Sequence, residues 1–242
     1  YADSTQLGNI PVPELRRQDE KNRQNSTSDL PNDISNVFQA KIKSQFEQSI
    51  KLYEEMIEAG IEGDFVEAGC WKGGISALFG YMCEKEGKGR KAWVFDSFQG
   101  MSEAIPEIDG QNAMAPEVQL HNFNLDDFNE TCYNLMKLKE DTFEVYPGWV
   151  DDTMLTGGEK LGEIAILRCD VDWYEPTKVV IETLYPKLIQ GGYFICDDYG
   201  YWAGARKACD DYRIEHDLMD KIHQTYKGTA LHIGTEHWWQ KS

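Results

Sequence analysis

No run of apolar residues in the 242-residue chain approaches the roughly 20 needed to cross a bilayer, and no secretory pattern opens it. Basic charge is scarce. Lys and Arg number 24 against 42 Asp and Glu, a net of −18. A surface this negative repels phosphate backbones, which argues against a nucleic acid partner and, with the missing apolar run, leaves no membrane partner either. Solubility accounts for such an excess; attraction of metal ions or cationic ligands is the functional alternative. No Cys-x-x-Cys pair occurs among Cys70, Cys83, Cys132, Cys169, Cys196 and Cys209. Single buried thiols in a reducing cytoplasm fit this pattern better than a disulfide framework or a zinc site. The Gly-x-Gly-x-x-Gly fingerprint is missing too, which counts against a nicotinamide-dependent dehydrogenase. There is no internal repeat.

What is present reads as one soluble globular unit, 41% hydrophobic and 27% charged, with enough length for a single large core. Residues 1–36 mix Asn, Ser, Asp, Pro and Arg without a period, as a flexible arm would. Residues 37–242 form the expected domain. Phe38, Ile42, Phe46, Ile50, Tyr53 and Ile57 recur every three or four residues, one apolar stripe on a helix that Gly60 would stop. Five strand-like runs follow: Phe65–Ala68, Ala92–Phe95, Phe143–Tyr146, Ile164–Leu167 and Tyr193–Cys196. Helical patterns separate or follow them at about 74–85, 125–136, 179–188 and 203–217. This alternation predicts an α/β fold, a doubly wound and mostly parallel Rossmann-like sheet covered on both faces. The runs at 221–224, 231–233 and 237–239 predict a C-terminal antiparallel hairpin.

The segment Phe65-Val-Glu-Ala-Gly-Cys-Trp-Lys-Gly-Gly-Ile-Ser76 is a strand, a glycine turn and a helix start. Gly69 would let the backbone approach a ligand, and Gly73 and Gly74 would turn the chain into the helix. A plain strand–helix turn is the bland alternative. Asp96 ends the second strand about 25–30 residues after that turn, where a carboxylate would accept two hydrogen bonds from a ribose diol. Gly148 and Trp149 follow the third strand, where a purine could rest; Asp151 or Asp152 could cap the next helix instead. Strands four and five end in Asp170 and Asp172 and in Asp197 and Asp198. Neighbouring strand tips lie about 5 Å apart, so these acids repel unless something neutralises them. A hard divalent cation such as Mg²⁺ with oxygen ligands answers this; an elevated pKa, or pairing with Arg168 and Arg206, are the alternatives.

The phrases FVEAGCWKGG, FDSFQGM, GWVDDT, LRCDVDWYEPT, LYPKLIQGGYFICDDYG and ARKACDDYR resemble the macrocin O-methyltransferase (TylF/MycF/NovP-like) family over roughly residues 38–240. The family's enzymes depend on metal and S-adenosylmethionine and act on sugar hydroxyls of natural products. The resemblance therefore implies a class I methyltransferase type of sheet with S-adenosyl-L-methionine and Mg²⁺ as cofactors. It also implies an acceptor that is a small hydroxylated, glycosylated molecule, and antibiotic biosynthesis in the cytoplasm as the setting. Carried over, it gives Glu67, Gly69 and the turn through Trp71, Gly73 and Ser76 to the methionine part of the cofactor, and Asp96 and Ser97 to the ribose. Gly148 and Trp149 face the adenine, and Asp170 closes the cofactor site. It gives Asp170 or Asp172, with Asp197 and Asp198, to Mg²⁺. Asp170 ends its strand directly and is favoured as ligand, with Asp172 a second ligand or the base.

The expected reaction is in-line methyl transfer to a hydroxyl that two-point metal binding acidifies and orients. Asp172 and His121 are the candidates to accept its proton. Methylation of a catechol or other diol, or a non-catalytic protein that only binds the cofactor, are the competing readings. The arm, the segment 101–123 and the Trp-rich tail are expected to shape the acceptor pocket, and a homodimer is a possible assembly.

Overall fold

A computed structural model describes residues 32–114, 123–225 and 236–242, with side chains from residue 43 onward. His121, the strand expected at 231–233 and residues 1–31 of the arm lie outside the described residues. Helix α1 spans Asn32–Glu58, so the last residues assigned to the arm are helical. Its buried face carries Phe46, Leu52, Tyr53 and Met56 together with Gln45 and Ser49. Ile50 and Ile57 are half-buried at the margin of the stripe. The helix closes as the apolar pattern predicts. Gly60 sits at φ 67, Ile61 N donates to Met56 O at 3.0 Å and Gly60 N to Ile57 O at 3.1 Å. That paired closure is the glycine-dependent C-terminal motif of helices.

β1 (Asp64–Ala68), β2 (Ala92–Asp96), β3 (Phe143–Pro147), β4 (Ile164–Cys169) and β5 (Leu188–Cys196) pair in parallel. The short β6 (His223–Gln224) and β7 (His237–Gln240) add an antiparallel edge beside β5. The sheet order is β3-β2-β1-β4-β5-β7-β6. The direction of winding reverses between β1 and β4, and open sheets of this kind bind ligands in the crevice beyond the strand C-termini at that point.

Crossover helices α2 (Gly74–Glu86), α3 (Pro106–Asp109), α4 (Leu125–Asn129), α5 (Val150–Thr153) and α6 (Tyr174–Leu184) precede α7 (Ala203–Glu215). The pattern expected as one helix over 125–136 divides into α4 and a π-helical turn at Glu130–Leu135. Asn124 starts α4 with a capping box, accepting from Asp126 N and Asp127 N while Asp127 reaches back to its own N–H. The sheet buries both faces, as its near-continuous apolar strands require. One core joins α1 and α2 to Phe65, Val94, Ile166, Tyr193 and Ile195. The other joins α6 and α7 to Val66, Phe95, Leu167, Phe194 and Trp239. Each fully buried aliphatic or aromatic side chain there contributes about 1.5–3 kcal/mol. Among the described residues no helix is long and apolar enough to cross a membrane.

Candidate functional site

Strand periodicity alone places an unusual set of side chains on one face of the sheet. Glu67 of β1 is the register partner of Arg168 on β4, and Arg168 that of Ile195 on β5. Two residues further on, on the same face by the period of two, come Asp170 and Asp197. Glu236 lies opposite Asp197 by continuation of the antiparallel pairing of Ile195 with Trp238 and Cys196 with His237.

The side chains meet accordingly. Arg168, 2% exposed, donates from Nη1 to Glu67 Oε1 at 2.9 Å and to Asp170 Oδ2 at 2.7 Å, and from Nη2 to Asp197 Oδ1 at 3.0 Å. Its Nε stands 3.5 Å from Glu236 Oε2. Gln45 of α1 also donates to Asp197 Oδ1, and Ser76 of α2 to Glu67 Oε2. Burial pushes the Glu67 carboxyl up to about 7, against the opposing pull of Arg168 and the Ser76 hydroxyl.

Beyond the guanidinium, Asp170, Asp197 and Asp198 each present a carboxylate oxygen, all within 4.8 Å of one another. Burial first, then the charges of Asp172, Asp170 and Asp197, raise the Asp198 carboxyl well above its ordinary value. Three hard oxygen donors at adjacent strand tips match a divalent cation that keeps part of its water shell. One guanidinium facing four carboxylates leaves an excess of negative charge that such an ion offsets.

Asp172 stands outside this trio. Its backbone takes φ 64, its N–H donates to Asp198 Oδ2 at 3.1 Å, and its Oδ1 accepts from Trp202 Nε1 at 3.0 Å. Of the arginines weighed as neutralising partners, Arg168 fills that role. Arg206 instead donates to the Tyr199 and Gly200 carbonyls.

The glycine turn also has a structural reason within the chain. Gly69, at φ 80, packs against β4: a Cβ there would lie 2.6 Å from the Asp170 carbonyl carbon and 3.2 Å from Val171 Cγ1. It is required by the close passage of two strand ends. Trp71 at φ 50 and Gly73 at φ 79 carry the turn into α2. A Cβ on Gly73 would lie 2.8 Å from Phe128.

Asp96, 5% exposed, accepts from Cys70 N at 2.6 Å, Trp71 N at 3.2 Å and Phe98 N at 2.7 Å. These three amides take up most of the roughly four acceptor positions of the carboxylate. Asp96 thus ties the turn to β2. Ser97 closes a local turn, donating to Gly100 O at 2.7 Å and accepting from Gln99 N at 3.1 Å. Gly148, at φ 143, donates to Asp96 O at 2.8 Å, and Trp149 beside it is 39% exposed. Trp149 occupies the N-cap of α5, and Asp151 and Asp152 lie in its first turn, so neither aspartate is the cap.

Glu236 and Gln45 escaped the sequence reading. Their signals were weak: an acid in phase with Trp238, and a polar pair, Gln45 and Ser49, one turn apart within an apolar helix face. An open depression lined by Tyr133, Glu140, Phe143 and Val145 lies at the β3 edge and shares no residue with the carboxylates.

The sheet order, the turn after β1 and the acids ending β2, β4 and β5 define a class I methyltransferase type of fold. Solved structures of that type superpose on the chain. The O-methyltransferase NovP matches with a TM-score of 0.73 and 28% identity, covering 82% of this chain and 80% of its own. The calicheamicin methyltransferase CalS11 matches in fold, with a TM-score of 0.62 and 17% identity over 94% of this chain and 91% of its own. The chain belongs to the macrocin-O-methyltransferase (TylF) family, whose sequence model matches residues 6–231.

Among similar proteins is a tetracenomycin-C 4'-O-methyltransferase of Streptomyces olivaceus that acts on the 8-demethyl-8-(2,3-dimethoxy-alpha-L-rhamnosyl) form. It is 35% identical over 176 residues, covering 70% of this chain and 65% of that protein. The mycinamicin III 3''-O-methyltransferase of Micromonospora griseorubida is 34% identical over 178 residues, covering 70% of this chain and 67% of that protein. The match therefore spans about two thirds of these relatives' length.

Proposed function

We propose that the chain is an S-adenosylmethionine-dependent O-methyltransferase for a hydroxyl of a sugar carried by a natural product, with Mg²⁺ held by Asp170, Asp197 and Asp198. The convergence of those three carboxylates beside the glycine turn, at the point where the winding of the sheet reverses, carries this reading. The names of the similar proteins support the substrate class. Binding the cofactor alone does not call for three converging acids, which weighs against a non-catalytic role.

The divalent ion, when bound, supplies positive charge that favours the alkoxide form of an acceptor hydroxyl. The protein's own part is placement. The turn from Gly69 to Gly73, held to Asp96, would seat the methionine end of the donor, with Glu67 and Ser76 beneath it. Ser97 and the remaining acceptor position of Asp96 would meet the ribose, and Trp149 the adenine. A base, a carboxylate or a histidine, must take the acceptor's proton as the C–O bond forms and the C–S bond breaks. Asp172, whose Oδ1 accepts from Trp202 Nε1 at 3.0 Å, would receive it.

Incubation with methyl-labelled S-adenosylmethionine and a panel of glycosylated acceptors tests the reading. Transfer to a sugar hydroxyl, abolished by EDTA and restored by Mg²⁺, is expected. Full transfer in EDTA would refute the metal role, and label found on a catechol would move the substrate class to aromatic diols. A cytoplasmic setting belongs to the same proposal.

A further inference from the structure

We propose that Arg168 is the positioning residue of the metal centre: it fixes the rotation of two ligand carboxylates and ties them to the cofactor turn through Glu67. The inference rests on the reading of Asp170, Asp197 and Asp198 as the ligands of a divalent cation. Its basis is the fork itself. Nη1 bonds Glu67 Oε1 at 2.9 Å and Asp170 Oδ2 at 2.7 Å, and Nη2 bonds Asp197 Oδ1 at 3.0 Å. A single planar group therefore engages one chosen oxygen on each of two ligands carried by different strands. Gln45 engages the same Asp197 oxygen from α1, which reinforces that choice.

Register sets the contact to Glu67, since Glu67 and Arg168 are partners across β1 and β4. Glu67 is the penultimate residue of β1, just before the turn that begins at Gly69. The guanidinium thus has the turn on one side and the metal ligands on the other. Lysine cannot replace it. An ammonium has three donors on one nitrogen but not the fork's fixed, spread directions, so it cannot reach Glu67, Asp170 and Asp197 in the same geometry. The geometry also differs from a plain buried ion pair. Two of the partners end in the cation trio, whereas Glu67 does not. Glu67 therefore acts on the metal site only through Arg168 and through its charge.

The experiment uses the full chain with Mn²⁺ as the probe, following bound ion by electron paramagnetic resonance and by calorimetry, with circular dichroism to establish folding. Arg168→Lys is expected to weaken Mn²⁺ binding at least tenfold and to alter the spectrum of the bound ion. A folded variant that changes affinity less than threefold overturns the proposal. Removing a buried guanidinium leaves buried acids uncompensated and can unfold the chain. Glu67→Gln covers that outcome, because it keeps size and leaves every ligand oxygen in place. It is expected to weaken Mn²⁺ binding threefold or more, since the neutral amide releases Nη1 to compete harder for Asp170. A folded Glu67→Gln protein that binds within threefold of wild type refutes the link. Wild-type protein that takes up no Mn²⁺ would defeat the metal reading itself, and this inference with it.

Discussion

Replacing Gly69 by alanine tests whether the glycine turn is shaped by the close passage of two strand ends. Two terms add. The residue holds φ 80, a conformation that costs an L-residue about 1–2 kcal/mol. The new Cβ would also stand 2.6 Å from the Asp170 carbonyl carbon, which belongs to backbone. That carbonyl cannot swing aside, because Asp170 N is bonded to Ala68 O at 2.8 Å and the residue sits in the carboxylate cluster. Displacing strand ends in a packed sheet costs about 1–3 kcal/mol more. Gly69→Ala should therefore lose about 2–5 kcal/mol in urea denaturation, read from the midpoint at unchanged slope. Gly60 supplies the control. It has φ 67, but nothing lies within 4 Å of where a Cβ would stand, so Gly60→Ala should lose only about 1–2 kcal/mol. Equal losses in the two variants would refute the argument from the close passage of the β1 and β4 ends.

The Glu67 carboxyl, pushed up to about 7 by burial, makes metal-free stability fall with pH. The folded protein holds that proton more tightly than the unfolded chain, so its contribution is complete below about 4.5 and is lost as pH rises through 7. Between pH 5 and 8 this amounts to about 2–3 kcal/mol, and Glu67→Gln should remove that slope; an unchanged profile would show that Glu67 titrates normally. Asp198→Asn should remove a carboxyl that burial first, and then the charges of Asp172, Asp170 and Asp197, disfavour as an ion, lifting the metal-free melting temperature by about 2–4 °C for each kcal/mol gained, while abolishing stabilisation by Mg²⁺. A lower melting point would mean that Asp198 is held by favourable contacts. Trp149→Ala should weaken S-adenosylhomocysteine binding about tenfold by calorimetry, the worth of one aromatic stacking contact of about 1.5 kcal/mol. Unchanged affinity would remove Trp149 from the adenine site.

The core strands are legible in the sequence because each carries an apolar run that a sheet buried on both faces demands; the run from Ile164 to Leu167 and the run ending at Cys196 are clear cases. The family motifs are legible for the same local reason, since turn and acids lie within a few residues of a strand end. What does not show is whatever depends on register between distant segments. Glu236 reaches Arg168 only because β7 returns antiparallel beside β5, and nothing within its own neighbourhood reports that pairing. Gln45 faces Asp197 across 152 positions of sequence. The packing of Gly69 against Asp170 is hidden likewise, because the neighbouring strand that requires it is distant in sequence.

The acids of the site are a product of sheet geometry as much as of catalysis. Asp170 and Asp197 are expected metal ligands, yet each already bonds the Arg168 guanidinium, which lies among side chains that exclude water. A buried guanidinium is tolerated only when its charge is matched: Glu67, Asp170 and Asp197 accept from its Nη atoms, and Glu236, on the approach to β7, adds an opposite charge 3.5 Å from Nε without a hydrogen bond to it. The same carboxylates then outnumber the cation that gathers them. The cluster is thus balanced neither by the arginine alone nor by a divalent ion alone. Arg168 accounts for where the ligands stand, and the surplus charge accounts for why a further cation would bind there. Because the partners come from four parts of the chain and from Gln45 of α1, the site exists only in the assembled sheet. Binding of an ion there would therefore be linked to folding, by RT ln(1 + [ion]/Kd), which is about 2.7 kcal/mol at a hundredfold excess over Kd.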